Sequence, residues 1–189
     1  MNSFLMQYLL HPRSVGAIAP SSTNLAVHMM DPVDFETADC IVEYGPGTGV
    51  FTEEIIRRKK PETLFLMIEK NRSFAQLLKN KYRSPEYAEQ NIHVVYGGAE
   101  HASGYLAKFG RRQADFVISG LPFTSLPEEL SIRIFEETQK LLGLHGSFIT
   151  FQYTLLKLPF FLKYFSLHAC PHVKKNLPPA YVMVFKNKN

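Results

Sequence analysis

Asp39-Cys40-Ile41-Val42-Glu43-Tyr44-Gly45-Pro46-Gly47-Thr48-Gly49 runs from an apolar segment straight into three glycines spaced two apart. Residues 40–44 read as a buried strand, the glycines as a tight turn, and residues 50–59 as a helix. A second apolar run at 64–68 follows, and Glu69 closes it twenty residues after Gly49. A carboxylate at that strand end can accept hydrogen bonds from both ribose hydroxyls of a nucleoside. The glycines run G-x-G-x-G behind Glu43, not the G-x-G-x-x-G that seats a pyrophosphate. An acid beside the loop repels phosphate and suits a cationic ligand. A bare turn without ligand is the plainer alternative, and two features in the right order weigh against it.

The alternation continues outward from this turn. A helix over 71–82 with Phe74, Leu77 and Leu78 inward, a strand at 92–96, a short helix near 101–109 and a strand at 115–119 are expected. A helix over 128–142 turns Ile134, Phe135, Leu141 and Leu142 to the core, residues 146–153 read as a fifth strand, and 169–173 with 181–186 as a closing hairpin around 176–179. This order predicts an α/β fold: a doubly wound, mostly parallel, seven-stranded Rossmann-like sheet with a C-terminal antiparallel hairpin. Two helices precede it as a preface over 1–31. The first covers residues 2–11, and the second is capped by Ser21 or Ser22 with Leu25, Ala26 and Met29 inward. With 189 residues, 46% of them hydrophobic, the chain suits one domain over 1–189.

Charge is unevenly spread. From Thr138 to Asn189 there are seven lysines and no acid, and residues 1–30 also lack acids, while residues 31–137 hold all 17 carboxylates. Basic ends around an acidic-to-neutral middle suit a polyanion such as anionic lipid headgroups or nucleic acid, or simply a basic surface. No uninterrupted apolar run reaches the roughly 18 residues of a membrane span, and residues 1–10 lack the basic n-region of a secretory signal. The reading is therefore cytoplasmic or peripheral. Cys40 and Cys170 offer no disulfide framework and are expected as buried thiols, and no H-E-x-x-H or cysteine spacing points to a metal.

Residues 39–153 resemble the class I S-adenosylmethionine-dependent methyltransferases, whose glycine motif follows the first strand and whose ribose-binding acid ends the second. The resemblance implies S-adenosylmethionine as cofactor, held by Glu43, Gly45, Pro46, Gly47, Thr48, Gly49 and Glu69, with Lys70 and Ser119 beside them. After the third strand the family often has an Asp-Ala pair near the adenine. In Gly97-Gly98-Ala99-Glu100 the Asp position is Gly98, so Glu100 either takes its place or is a loop carboxylate in solvent.

Ser119-Gly120-Leu121-Pro122-Phe123 stands where the acceptor loop belongs. In the more distantly similar adenine N6-methyltransferases, including the ribosomal RNA adenine dimethylases, an Asn or Asp begins this segment and binds the target amine. Here that place is Gly120, which weighs against a nucleobase and toward an aliphatic amine. Residues 11–22, the acceptor loop with Leu126-Pro127, and Asn176-Leu177-Pro178-Pro179-Ala180 together resemble bacterial phospholipid N-methyltransferases. That family methylates phosphatidylethanolamine and sits on anionic membranes through an amphipathic N-terminal helix. On that reading Phe4 and Tyr8 insert, Arg13 and Ser14 lie just outside, and Lys157 of the stretch 153–165 reaches lipid phosphate. Packing of both segments on the domain is the alternative. Phe123 and Tyr153 are candidates to face a methylated ammonium, or to be core aromatics. RNA, a small-molecule amine, or a non-catalytic binding module on the same fold remain alternatives.

Overall fold

The computed structural model describes residues 20–188. The chain runs through α1 (Pro20–Met30), β1 (Cys40–Tyr44), α2 (Val50–Arg58), β2 (Leu64–Glu69), α3 (Arg72–Tyr82), β3 (Ile92–Tyr96), α4 (Ala102–Ala107) and β4 (Ala114–Ser119). It continues through α5 (Glu128–Leu141), β5 (Leu142–Gln152), α6 (Leu158–Tyr164), β6 (Phe165–Ala169), β7 (His172–Val173) and β8 (Ala180–Asn187). All eight strands join one sheet in the order β3-β2-β1-β4-β5-β8-β6, with β7 also paired to β8. The first five strands are parallel, and β8 runs antiparallel to β5, β6 and β7. Because β6 and β7 both lie along β8, the sheet has seven strand positions, as expected.

Alternation along the strands divides the core in two. Cys40, Val42 and Tyr44 of β1 and Leu64, Leu66 and Ile68 of β2 pack on one face with α4, α5 and α6. Ile41 of β1 and Phe65 and Met67 of β2 pack on the other with α1, α2 and α3. Every residue of β1 and β2 is buried, as central parallel strands covered by helices on both faces require. On the first face the aromatic side chains dominate. Phe135 touches Phe123, Phe148, Phe160, Phe161 and Phe165 at ring-centre distances of 5.0, 6.2, 5.4, 4.8 and 5.5 Å.

Four expectations are corrected. In α3 the inward residues are Ala75, Leu78 and Tyr82, whereas Leu77 is 38% exposed, so the helix is rotated from the expected face. Strand β5 starts at Leu142, directly from α5, because Leu141 and Leu142 are both drawn into the core. The segment expected as one strand over 169–173 is interrupted after Ala169, with Pro171, which has no N–H to donate, in the gap before β7. Cys170 is half-buried, while Cys40 is buried as expected.

The order of crossovers positions the site. From β1 the chain winds outward to β2 and β3, then returns to β4 on the other side of β1. Loops after β1 and β4 therefore part in opposite directions and leave a crevice at the carboxyl edge of the sheet. Replacement of Phe135 by Ala should lower unfolding stability by about 3 to 5 kcal/mol, measured by urea denaturation, since it removes the hub of the aromatic layer.

Candidate active site

Three loops at the carboxyl edge begin with a glycine that extends the sheet by one more bond. Gly45 N–H donates to Ile68 O at 2.9 Å, Gly97 N–H to Glu69 O at 3.0 Å, and Gly120 N–H to Tyr44 O at 3.0 Å. Beyond that bond the chain after β1 turns abruptly: Gly45, Gly47 and Gly49 have φ of 64°, 57° and 92°, where a side chain is strained. A Cβ on Gly45 would also lie 2.7 Å from Leu121 Cδ2 of the loop after β4. A Cβ on Gly120 would lie 3.1 Å from the Gly45 carbonyl and 3.6 Å from the Phe51 ring. The two loops meet backbone to backbone. Pro46 is buried in the turn and Thr48 is exposed at its tip.

The acids occupy three different environments. Glu43 is fully buried, accepts a hydrogen bond from the Thr52 hydroxyl at 2.7 Å on one oxygen, and its Oε1 has no hydrogen-bond partner among the described residues. Burial pushes its pKa up to about 8; the Thr52 bond opposes this and the Glu69 charge adds to it. Glu69, also buried, receives Gly47 N–H at 2.9 Å on one oxygen and Asn71 N–H at 2.7 Å on the other. It ties the glycine turn to the start of α3, where Asn71 caps Ser73 and Phe74 N–H. Each oxygen retains a second lone pair for a ligand.

Glu100 settles where the missing residue-98 side chain would be. An ideal Cβ on Gly98 falls 2.5 Å from the Glu100 carboxylate carbon, inside its van der Waals envelope. Lys70, largely exposed, stands 3.7 Å from Glu100 Oε1. Ala99 is buried in the core beside this loop. Of the acceptor loop, Ser119 is buried and accepts Leu121 N–H at 3.2 Å, and Pro122 O accepts from Ser125 and Leu126 N–H.

Hydrogen bonds and close approach bring Glu43, the turn over 45–49, Glu69, Ser119, Gly120 and Leu121 together at the carboxyl edge, with Lys70 in the loop after β2 and Gly98, Ala99 and Glu100 in the loop after β3. Phe123 is a correction: it is 1% exposed, with ring centres of Phe135 and Phe161 at 5.0 and 5.3 Å, so it is a core aromatic and meets no substrate. Tyr153 is half-buried at the end of β5, its ring 5.4 Å from Phe151, and lines a cleft of about 690 Å3. Lys157 lies 3.9 Å from Glu128 and 5.3 Å from the Phe160 ring centre, next in sequence to Leu156 of that cleft. Phe4, Tyr8, Arg13 and Ser14 lie outside the described residues. Sequence reading missed Thr52 and Phe51. A polar residue in the first turn of an otherwise inward helix face was the available signal for Thr52.

The buried orphan oxygen of Glu43, the three positive-φ glycines of the turn and the Glu69 carboxylate fit a cationic nucleoside ligand. With the strand order, they define an S-adenosylmethionine-dependent methyltransferase of class I. The comparisons agree. The chain is 31% identical over 182 residues to an ornithine lipid N-methyltransferase of Singulisphaera acidiphila, covering 94% of this chain and 91% of that one. It belongs to that methyltransferase family. No protein-family model matches it. The solved structure of the N-methyltransferase NodS from Bradyrhizobium japonicum shares the fold at a TM-score of 0.68 and 10% identity, over 91% of this chain and 99% of that one. TrmN from Thermus thermophilus does so at 0.69 and 13% identity; the match takes in 97% of this chain but spans only 53% of that protein.

Glu43 makes stability depend on pH with a definite sign. Its proton is retained in the folded chain up to about pH 8, whereas the unfolded chain releases it near the ordinary 4.5. Between those values the folded state holds more protons, so stability falls as pH rises. From about pH 6 to about pH 8 the loss from this group should be about 2 kcal/mol. Urea denaturation of Glu43→Gln should show that part of the slope gone.

Proposed function

We propose that this chain transfers methyl groups from S-adenosylmethionine to the aliphatic amine of a membrane lipid headgroup, working at the cytoplasmic face of the membrane. The observation that carries this reading is Gly120. The position from which an Asn or Asp side chain would reach an exocyclic base amine has no side chain, and the Gly45 carbonyl stands 3.1 Å from where a Cβ would be. A nucleobase amine is a weak nucleophile whose lone pair is delocalised into the ring and needs such an acceptor. An aliphatic amine, once its ammonium has lost a proton to water, can attack the methyl carbon without one. The carbon–sulfur bond breaks as the carbon–nitrogen bond forms, the electron pair of the broken bond stays on sulfur, and S-adenosylhomocysteine leaves as a neutral thioether. The lipid relative points the same way.

The cofactor supplies a methyl group on sulfonium, and the protein supplies position and exclusion of water. Gly45, Gly47 and Gly49 allow close backbone approach, Glu69 takes the ribose hydroxyls on its remaining lone pairs, and Glu43 stands below the turn. Glu100 takes the role of the family's Asp, with its carboxylate in the space that Gly98 leaves open. Leu121 roofs the turn. Tyr153, at the acceptor end of β5, faces the methylated ammonium through a cation–π contact worth roughly 0.5 to 2 kcal/mol. Phosphatidylethanolamine is the headgroup expected from the sequence, and ornithine lipid is a second candidate favoured by the relative.

Thin-layer chromatography after incubation with methyl-labelled cofactor and each lipid tests the acceptor. Label in either lipid supports the reading and names the headgroup. Good cofactor binding with no labelled lipid, and label in RNA instead, sinks it. For the cofactor side, Glu100→Ala should weaken cofactor affinity about tenfold by calorimetry, the effect of a lost charge-assisted hydrogen bond. The double change Gly98→Asp with Glu100→Ala should recover most of it. No loss in the single variant would return Glu100 to the status of a loop carboxylate.

A further inference from the structure

Two loops at the carboxyl edge hold leucines out in solvent. Leu156, after β5, is 85% exposed and Leu177, between β7 and β8, is 79% exposed. Strands β5 and β8 are neighbours with Gln152 opposite Tyr181, so both loops leave the sheet together. The open cleft beside the first loop is lined by Tyr153, Thr154, Leu155, Leu156 and Pro159, with Tyr181 at the start of β8 on its other side. The turns after β1 and β4 are on the same edge, since Tyr44 is level with Ser119 and Ser119 with Thr150. The Leu177 turn is held in shape by buried Asn176, whose side chain donates to Pro178 O at 2.6 Å. Leu177 is thus presented by a fixed turn.

The charges on these loops have one sign. Lys157, Lys174 and Lys175 stand beside the leucines, and no acid occurs between residues 138 and 189. Among the described residues Lys157 stands 3.9 Å from Glu128 of α5. Apolar tips among lysines match an environment with an apolar interior and an anionic rim. Nucleic acid would meet the lysines but leave the leucines in water. A second copy related by a two-fold axis would set these lysines against one another.

We propose that this face docks on an anionic bilayer, with Leu156 and Leu177 entering the acyl boundary and Lys157, Lys174 and Lys175 meeting headgroup phosphates. The cleft beside Tyr153 then opens into the headgroup layer, level with the loops that present the methyl group. This docking takes its purpose from the lipid-amine reading above but is tested without it.

The full chain is sedimented with vesicles of phosphatidylcholine and phosphatidylglycerol, neither of which carries a free amine. The unsubstituted chain should bind, and binding should fall when phosphatidylglycerol is omitted. The double variant Leu156→Asp with Leu177→Asp should bind at least tenfold more weakly while its cofactor affinity stays unchanged, which checks folding. Lys174→Glu with Lys175→Glu should also weaken binding and flatten its salt dependence. Leucine variants that bind vesicles like the unsubstituted chain would overturn the assignment. So would failure of the unsubstituted chain to bind, or variants that change only self-association or RNA binding. Vesicle binding lost in the leucine variants, with no label reaching any lipid amine in the chromatography, would uphold the docking face and remove the lipid-amine reading instead.

Discussion

The geometry of the site rests on the contact between the turn after β1 and the turn after β4. Gly120 faces the Gly45 carbonyl, and Leu121 fills the space above Gly45 that any Cβ would need. Side chains at either glycine would force the two loops apart. The crevice between diverging crossovers would then no longer be floored by backbone. The contact continues the pairing of β1 with β4, which are bonded in register up to Tyr44 and Ser119, the last residues before the two turns.

Around that contact, three carboxylates of the same chemistry are separated by environment. Glu43 is buried with a single hydrogen bond from Thr52, so its charged form is disfavoured. Glu69 is buried too, but two backbone N–H groups compensate it, and it acts as a clasp between the glycine turn and α3. Glu100 is held over glycine, where the backbone of Gly98 leaves room for it. Among the described residues neither Glu43 nor Glu69 has a lysine or arginine partner, whereas Glu100 has Lys70 at 3.7 Å.

The C-terminal third does something different. Phe148, Phe160, Phe161, Phe165 and Phe185 make the aromatic layer that locks α5 and α6 to the sheet, while Phe151 packs on the other face. Phe161 and Phe185 stack at 5.2 Å with an interplanar angle of 1°. This rigid layer carries the loops with Leu156 and Leu177 outward at the same edge as the cofactor turn. Burial of Phe160 and Phe161 beside exposed Leu155, Leu156 and Leu162 divides one apolar stretch into core and surface.

Local pattern alone determined the first four strands, because alternation of apolar runs with turns and amphipathic segments is a short-range property. Strands expected at 40–44 and 92–96 appear with those bounds, and the other two differ by one residue. The glycine turn and Glu69 were legible for the same reason: turn conformation and strand ends are set by nearby residues. Tertiary structure decided what side chains do with space contributed from afar. Phe123 reads like an acceptor-loop aromatic, yet Phe135 and Phe161, which pack against it, are 12 and 38 residues away and draw it into the core. Leu77 turns outward because Ala75, Leu78 and Tyr82 set the helix rotation. Glu100 fills the place of residue 98 because the chain folds back over glycine there, and no spacing rule in one dimension encodes that overlap.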